Sequence, residues 1–181
     1  MKVEASGLPG VLLLEPQVFG DARGFFFESY NRRTFARATG LELEFVQDNQ
    51  SRSAKNVLRG LHYQLRQPQG KLVRVTSGEI WDVAVDLRRG SASFGRWTAA
   101  TLSAESRRML WVPAGFAHGF LVLSEQAEVQ YKTTGYYAPE DEHILLWNDP
   151  ALAIAWPLAG EPVMTAKDRG GKPLARAEAF D

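Results

Sequence analysis

Three side chains in the sequence are of a kind that can transfer or stabilise a proton near neutral pH. His62 follows Gly60 by two positions, and an imidazole titrates close enough to neutrality to act as a general base. Tyr131 shares one face of an extended segment with Val129, so it points inward with that residue and is a candidate proton donor. Lys71 opens an apolar stretch, where an ammonium could stabilise an oxyanion at a strand mouth. Each also has a plain structural explanation, as a core histidine, a packed tyrosine or a solvated lysine.

His118 closes the segment PAGFAH, whose P-x-G-x-x-H pattern after an apolar stretch resembles the second motif of the cupin superfamily. Metal-binding cupins hold their ion with three histidines and one glutamate, and two of the histidines form an H-x-H pair. The corresponding segment here reads His62-Tyr63-Gln64, with no glutamate in the next dozen residues, and His143 lies in an acidic stretch. The ligand requirements of Zn, Fe or Mn are not met. We therefore expect a barrel without a metal ion or other cofactor.

Three consecutive phenylalanines stand in the segment GDARGFFFE, between Arg23 and Glu28. In an extended chain at least one ring lies on each face. An aromatic platform beside charged side chains suits a nucleobase and a phosphate. An edge strand buried in a subunit interface would have the same composition, and both interpretations stay open.

The composition limits the classes of protein to which the chain can belong. Its 181 residues and 20.2 kDa suit one domain spanning residues 1–181, with a tail from about residue 158 that wraps the barrel. The absence of cysteine excludes disulfides and thiolate metal sites. Lys+Arg and Asp+Glu both number 21, so the surface lacks the positive charge of a nucleic-acid binder. No signal peptide or bilayer-length apolar run is evident, and we expect a soluble cytoplasmic protein without a membrane partner.

Short apolar segments separated by turn residues predict an all-β fold, a cupin-type double-sheet jelly roll with one or two short helices. The best helix runs from about Asn31, a good N-cap, to Thr39, followed by Gly40. Trp81, Val83, Val85 and Leu87 alternate along one buried strand face. The predicted strands are Val11–Leu14, Gly24–Ser29, Leu41–Val46, Leu72–Thr76, Glu79–Leu87, Trp97–Leu102, Met109–Val112, Gly119–Leu123, Glu128–Thr133 and His143–Trp147.

Taken together, these segments resemble the dTDP-4-dehydrorhamnose 3,5-epimerase family over nearly the whole chain, from about Val11 to Asp168. The combination of LRGLHYQ, PAGFAHGF and YKTTGYY is specific. The matching stretches, in chain order, are GDARGFFFESYN, FVQDNQSRS, NVLRGLHYQ, QGKLVRV, WVPAGFAHGF, YKTTGYY, LLWNDP and MTAKD.

The resemblance implies a metal-free homodimer that converts dTDP-4-dehydro-6-deoxy-D-glucose to dTDP-4-dehydro-L-rhamnose by inverting C3 and C5. It implies that His62 is the proton acceptor, paired with Asp168, and that Tyr131 is the proton donor. Lys71 and His118 would surround the C4 ketone and the sugar. The positions that match substrate-binding residues of the family are Arg23, Phe26, Glu28, Gln47, Asn49, Arg59, Lys71, His118, Glu142 and Lys167; the first three would come from the neighbouring subunit.

Two local features bear on this assignment. Gln50 stands where many family members have histidine, which puts in doubt any role tied to that imidazole. Arg59 and His62 would face opposite sides of a regular strand although both are expected at the ligand, so we predict a bend or bulge at Gly60.

Three other functions remain as alternatives. A relative with the same fold could be a 3- or 5-epimerase or a ketoisomerase acting on a related dTDP-4-keto sugar in a natural-product pathway. A metal-dependent cupin, such as a dioxygenase, would bind about one metal ion per chain. A sugar-nucleotide binder without catalysis would bind tightly and exchange no hydrogen.

Overall fold

Antiparallel strands dominate the computed structural model, which describes residues 1–181. Two short helices, α1 (Arg32–Thr39) and α2 (Ala166–Arg169), and 3-10 turns at Pro139–Asp141 and Leu174–Arg176 complete it. The strands are β1 (Lys2–Ala5), β2 (Leu12–Glu15), β3 (Phe19–Asp21), β4 (Gly24–Phe26), β5 (Gln47–Ala54), β6 (Leu58–Gln64), β7 (Lys71–Ser77), β8 (Glu79–Asp86), β9 (Trp97–Ser103), β10 (Met109–Val112), β11 (Phe116–Val122), β12 (Gln126–Thr133) and β13 (Glu142–Ile144).

Two sheets face each other and enclose the main core. One has six strands in the order β1-β2-β10-β7-β12-β5, the other five in the order β13-β6-β11-β8-β9, and β3 pairs with β4 as a separate hairpin. Because side chains alternate along a strand, Val73 and Val75 of one sheet meet Ile80 and Ala84 of the other in one buried cluster. The expected all-β double-sheet fold with two short helices is confirmed. No helix combines the length and the apolarity needed to span a bilayer.

The C-terminal segment, residues 145–181, covers the outer face of the five-stranded sheet. The predicted face of Trp81, Val83 and Val85 points outward, into a second apolar cluster with residues of this segment such as Leu152. The carboxylate of Asp149 anchors the segment by accepting hydrogen bonds from the backbone N–H groups of Leu174 and Ala151. Both faces of β8 are therefore buried, which the alternating pattern alone did not indicate.

Helix α1 covers the outer face of the six-stranded sheet. Its Phe35 is buried against Leu14, Met109 and Trp111. The Asn31 side chain accepts hydrogen bonds from the N–H groups of residues 33 and 34, and Gly40 ends the helix in the left-handed conformation. The predicted helix and its caps are confirmed.

Several predicted strands differ from the structure. Residues 41–46 form no strand. Their alternating apolar side chains, Leu41, Leu43 and Phe45, pack beside α1 and do not pair with a sheet. The strand predicted over 24–29 is only the three-residue β4, and the one predicted over 143–147 is the short β13. The polar strand β5 was not predicted, since its alternation contains almost no apolar residues.

Candidate active site

A cavity of about 230 Å³ opens between the two sheets and is lined by six of the thirteen candidate residues. A larger cavity, about 380 Å³, is lined mainly by residues of β5, β7 and β12, including Asp48, Asn49 and Tyr131, and contains no histidine. The cavity of about 230 Å³ is therefore the candidate active site. It is lined by Gln47, Asn49, His62, Tyr63, Gln64, Gln69, Lys71, Tyr131, Tyr137 and Glu142.

His62 and Asp168 form a close pair beside this cavity. His62 Nε2 lies 2.6 Å from Asp168 Oδ1, and Asp168 is buried on α2, where the Thr165 hydroxyl accepts a hydrogen bond from its backbone N–H. Burial by itself would raise the pKa of Asp168, but the hydrogen bond and charge of His62 outweigh it and lower that pKa. The carboxylate therefore stays ionised. It orients the imidazole through Nε2. In the neutral ring the second nitrogen is then free to accept a proton.

Tyr131 lies on the opposite sheet from His62. It belongs to β12, where it pairs with Asn49 of β5 and Val73 of β7, whereas His62 belongs to β6. Burial raises the pKa of Tyr131, and the nearby charge of Arg59 only partly opposes this shift. The phenol is therefore protonated at neutral pH and can act as a proton donor across the cavity from the imidazole.

Lys71 brings a cation to the same cavity. Its Nζ lies 3.5 Å from the backbone carbonyl oxygen of His62. Burial lowers the pKa of Lys71 to about 8, while the charges of Glu142 and Asp82 act in the opposite direction. At neutral pH the side chain is mostly an ammonium, poised to stabilise a negative oxygen.

The predicted bulge at Gly60 is confirmed. On β11, His118 pairs with His62 and Phe120 pairs with Arg59. Three residue steps along β6 therefore lie opposite two along β11, which is a β-bulge. Gly60 has φ +119°, and a Cβ there would lie 2.6 Å from Gly119 Cα. The extra residue turns Arg59 towards β5, where its Nε donates to Ser53 Oγ at 2.9 Å.

The mouth of the cavity is polar. Glu142 forms an ion pair with Lys167 and accepts a hydrogen bond from the Tyr137 hydroxyl. Gln47 donates to Asn49 Oδ1 at 2.8 Å and accepts from the backbone N–H of Tyr137. These groups offer donors and acceptors to a polar ligand.

Seven predicted residues do not line the cavity: Asp168, Arg59 and Lys167, whose contacts are given above, and four others. His118 is buried next to His62, and its Nε2 contacts Asp82 Oδ1 at 2.8 Å. Arg23 and Phe26 lie on the exposed β3–β4 hairpin and Glu28 just after it. Arg23 pairs with Asp21 of the same hairpin, and Glu28 with Asn31.

The side chain of Gln50 points away from the cavity. It donates to Glu128 and accepts from Gln130 on the outer face of the six-stranded sheet. A glutamine at this position therefore leaves the cavity lining unchanged.

Other cavity residues were not identified from the sequence. Tyr137 lies in a loop, where no periodicity reveals which way a side chain points. Gln64 could have been found, because it lies two positions after His62 on the same strand face. No cluster of three or more histidine, cysteine or acidic side chains suitable for a metal ion is present.

Comparisons with known proteins agree on one family. The family model described as dTDP-4-dehydrorhamnose 3,5-epimerase matches residues 5–176. A Pseudomonas aeruginosa protein of that name is 62% identical over 180 residues, covering 99% of each chain, and one from Salmonella typhimurium is 55% identical over 178 residues, covering 98% and 97%. The crystal structure of a Legionella pneumophila dTDP-6-deoxy-D-glucose-3,5-epimerase, in complex with dTDP-4-keto-L-rhamnose, superimposes with a TM-score of 0.95. It is 47% identical and covers 98% of this chain and 94% of its own.

Proposed function

This chain belongs to the dTDP-4-dehydrorhamnose 3,5-epimerase family, and we propose that it inverts C3 and C5 of dTDP-4-dehydro-6-deoxy-D-glucose to give dTDP-4-dehydro-L-rhamnose. The observation that carries this proposal is the His62–Asp168 pair on one sheet side of the cavity with Tyr131 on the other. An acid and a base on opposite faces of a sugar are what inversion at carbon requires.

The C4 ketone makes the reaction possible without a cofactor. Hydrogens on C3 and C5 both flank this carbonyl, so His62 can remove either as a proton while the C–H electron pair moves into the enolate. The charge then resides on the C4 oxygen, where the Lys71 ammonium stabilises it. Tyr131 donates its proton to the opposite face of the carbon. Between the two inversions solvent takes the proton from His62 and returns one to Tyr131.

The whole chain acts as one domain in this proposal. The barrel supplies His62, Lys71 and Tyr131, and the C-terminal segment supplies Asp168 together with Lys167. Arg59, Glu142, Gln47 and Asn49 are proposed to bind the nucleotide sugar. A guanidinium suits the diphosphate because it donates to two phosphate oxygens at once. The cytoplasmic location expected from the sequence stays a prediction.

A second copy of the chain is proposed to complete the site. The β3–β4 hairpin exposes Phe19, Phe25 and Phe26, with 68% of Phe26 accessible, and contiguous exposed aromatic surface is typical of an interface. Arg23 and Glu28 do not line the cavity of their own chain. In a dimer they would reach the cavity of the neighbouring chain.

Incubation with the substrate in deuterated water tests the proposed reaction. Incorporation of deuterium at both C3 and C5, with formation of the L-sugar, is the expected result. Exchange at one carbon alone would establish a single-carbon epimerase, and exchange at neither carbon would refute the proposal.

A further inference from the structure

Asp82 presents an unsatisfied carboxylate oxygen inside the barrel. The residue is fully buried in the middle of β8. Its Oδ1 lies 2.8 Å from His118 Nε2, while Oδ2 is buried and has no hydrogen-bond partner. A buried carboxylate without full hydrogen bonding is costly, so its presence calls for a physical explanation.

The strand register places Asp82 beneath the candidate site. Alternation along β8 directs Asp82 inward with Ile80 and Ala84. His118 on the next strand pairs with Ala84 on one side and with His62 on the other. Asp82, His118 and His62 therefore cross three neighbouring strands on the inner face of the five-stranded sheet.

Lys71 approaches this row from the opposite sheet, and its Nζ lies 3.5 Å from the backbone carbonyl oxygen of His62. Burial lowers the pKa of Lys71, and the negative charges of Glu142 and Asp82 raise it. Glu142 is already engaged by the Lys167 ammonium and the Tyr137 hydroxyl. Asp82 Oδ2 has no hydrogen-bond partner, so His118 engages this carboxylate only through Oδ1.

We propose that Asp82 is a positioning residue that keeps Lys71 as an ammonium at the floor of the cavity while it holds the His118 ring through its other oxygen. The inference rests on the proposed function, because Lys71 is the group assigned to the C4 oxygen. It explains why a carboxylate is retained in an apolar core, and it assigns Asp82 an electrostatic role without contact with the substrate.

The substitution Asp82→Asn tests this role. Asparagine keeps the shape and still offers an oxygen to His118, but it removes the charge. Without the nearby anion the ammonium of Lys71 is less favourable, so its pKa falls below the present value of about 8. We expect the alkaline limb of the kcat profile to move down by about one pH unit, as is typical when a close opposite charge is lost. At neutral pH kcat should fall while KM changes little.

Two further variants separate this effect from general damage. Asp149→Asn alters another buried carboxylate, one that anchors the C-terminal segment; it should lower Tm and leave the pH profile in place. In a Lys71→Met background, Asp82→Asn should cause no further loss of kcat, because it acts through Lys71. A full additional loss in that background would contradict the proposal.

An NMR titration gives a readout that needs no substrate. In protein labelled with ¹³C-lysine, the Lys71 signal is identified by its absence in Lys71→Met, and it should titrate at lower pH in Asp82→Asn than in the unmodified chain. Identical titrations would overturn the role of Asp82 even if epimerisation is established. A missing deuterium exchange in the unmodified chain would instead refute the proposed function. If Asp82→Asn does not fold, Asp82→Ser removes the same charge and is judged by the same titration.

Discussion

The His62 imidazole meets the Asp168 carboxylate although 106 positions separate them in the chain. The carboxylate is buried and its pKa is lowered, chiefly because His62 outweighs the effect of burial. An orienting acid, a base and an opposed phenol are each ordinary side chains. We propose that their mutual placement lets them act together in one reaction, and single substitutions can test the role of each residue separately.

Replacement of His62 should remove the base. His62→Ala is expected to lower kcat by about 10²- to 10⁴-fold, the usual contribution of general acid–base catalysis. It should also lower Tm without unfolding the chain, because the buried Asp168 carboxylate loses its hydrogen-bond partner. Kinetics and thermal unfolding check this. A variant that retains kcat within a few-fold would exclude His62 as the base.

Replacement of Tyr131 should separate exchange from inversion. In Tyr131→Phe the base and the stabilised enolate remain, so deuterium should still enter the substrate while formation of the inverted sugar falls sharply. NMR analysis of the products measures both. Tyr30→Phe is the matched control, because Tyr30 packs against Phe35 and Phe45 outside the barrel. Equal loss of exchange and inversion would assign Tyr131 a different role.

Acid should weaken the fold partly through Asp168. Its pKa is lower in the folded chain than its ordinary value of 3.8, so its contribution to stability is complete above about pH 5 and is lost as the pH falls through the folded pKa. The difference in the free energy of unfolding between the unmodified chain and Asp168→Asn should therefore shrink below about pH 4. Denaturant titrations from pH 7 to pH 2 measure it, and a constant difference would contradict this linkage.

At the scale of elements, the bulge in β6 determines where the side chains of Arg59 and His62 point. Gly60 and Gly119 lie against each other across β6 and β11, so neither position has room for a side chain. The extra residue brings Arg59 to β5 while His62 stays in the cavity. A regular strand would direct one of the two away.

The packing at Gly60 predicts a large loss of stability on substitution. In Gly60→Ala the new Cβ would meet Gly119 Cα at 2.6 Å and the His118 carbonyl oxygen at 2.8 Å, at a φ of +119°. We expect a loss of about 2 kcal/mol or more in the free energy of unfolding. Gly90→Ala is the control, because no atom lies within 4 Å of its added Cβ. Equal stability of the two variants in denaturant would be inconsistent with the close contact.

At the scale of the whole molecule, we propose that the exposed β3–β4 hairpin of one copy completes the cavity of a second copy. Arg23 and Phe26 are far more exposed than substrate-binding residues of a complete site would be. Aromatic rings in water are unfavourable, and burial between two copies would remove this cost.

Mixing of inactive variants tests the shared site. Arg23→Ala and His62→Ala subunits, allowed to exchange, should regain about a quarter of the normal activity, because half of the dimers are mixed and each has one intact site. His62→Ala mixed with Tyr131→Phe should regain none, since both residues lie in the same cavity. Recovery in neither mixture would show that Arg23 does not act across subunits.

Local signals in the sequence determined much of the fold. The α1 cap residues, the alternation in β8 and the turn residues depend on contacts within a few positions, where the periods of helix and strand are fixed by backbone geometry. The ordered motifs also identified the family, and they predicted the residues that we propose carry its chemistry.

Only the tertiary structure decided which of these residues meet. Residues 41–46 have the alternation of a strand but pack beside a helix, and β5 is a strand without that signal. The pairing of Asp168 with His62 was implied by the family resemblance, but no local pattern indicated it or the unsatisfied oxygen of Asp82. Both depend on how two sheets and the C-terminal segment come together. Such contacts are set by long-range packing, which a periodicity of two or 3.6 residues does not encode.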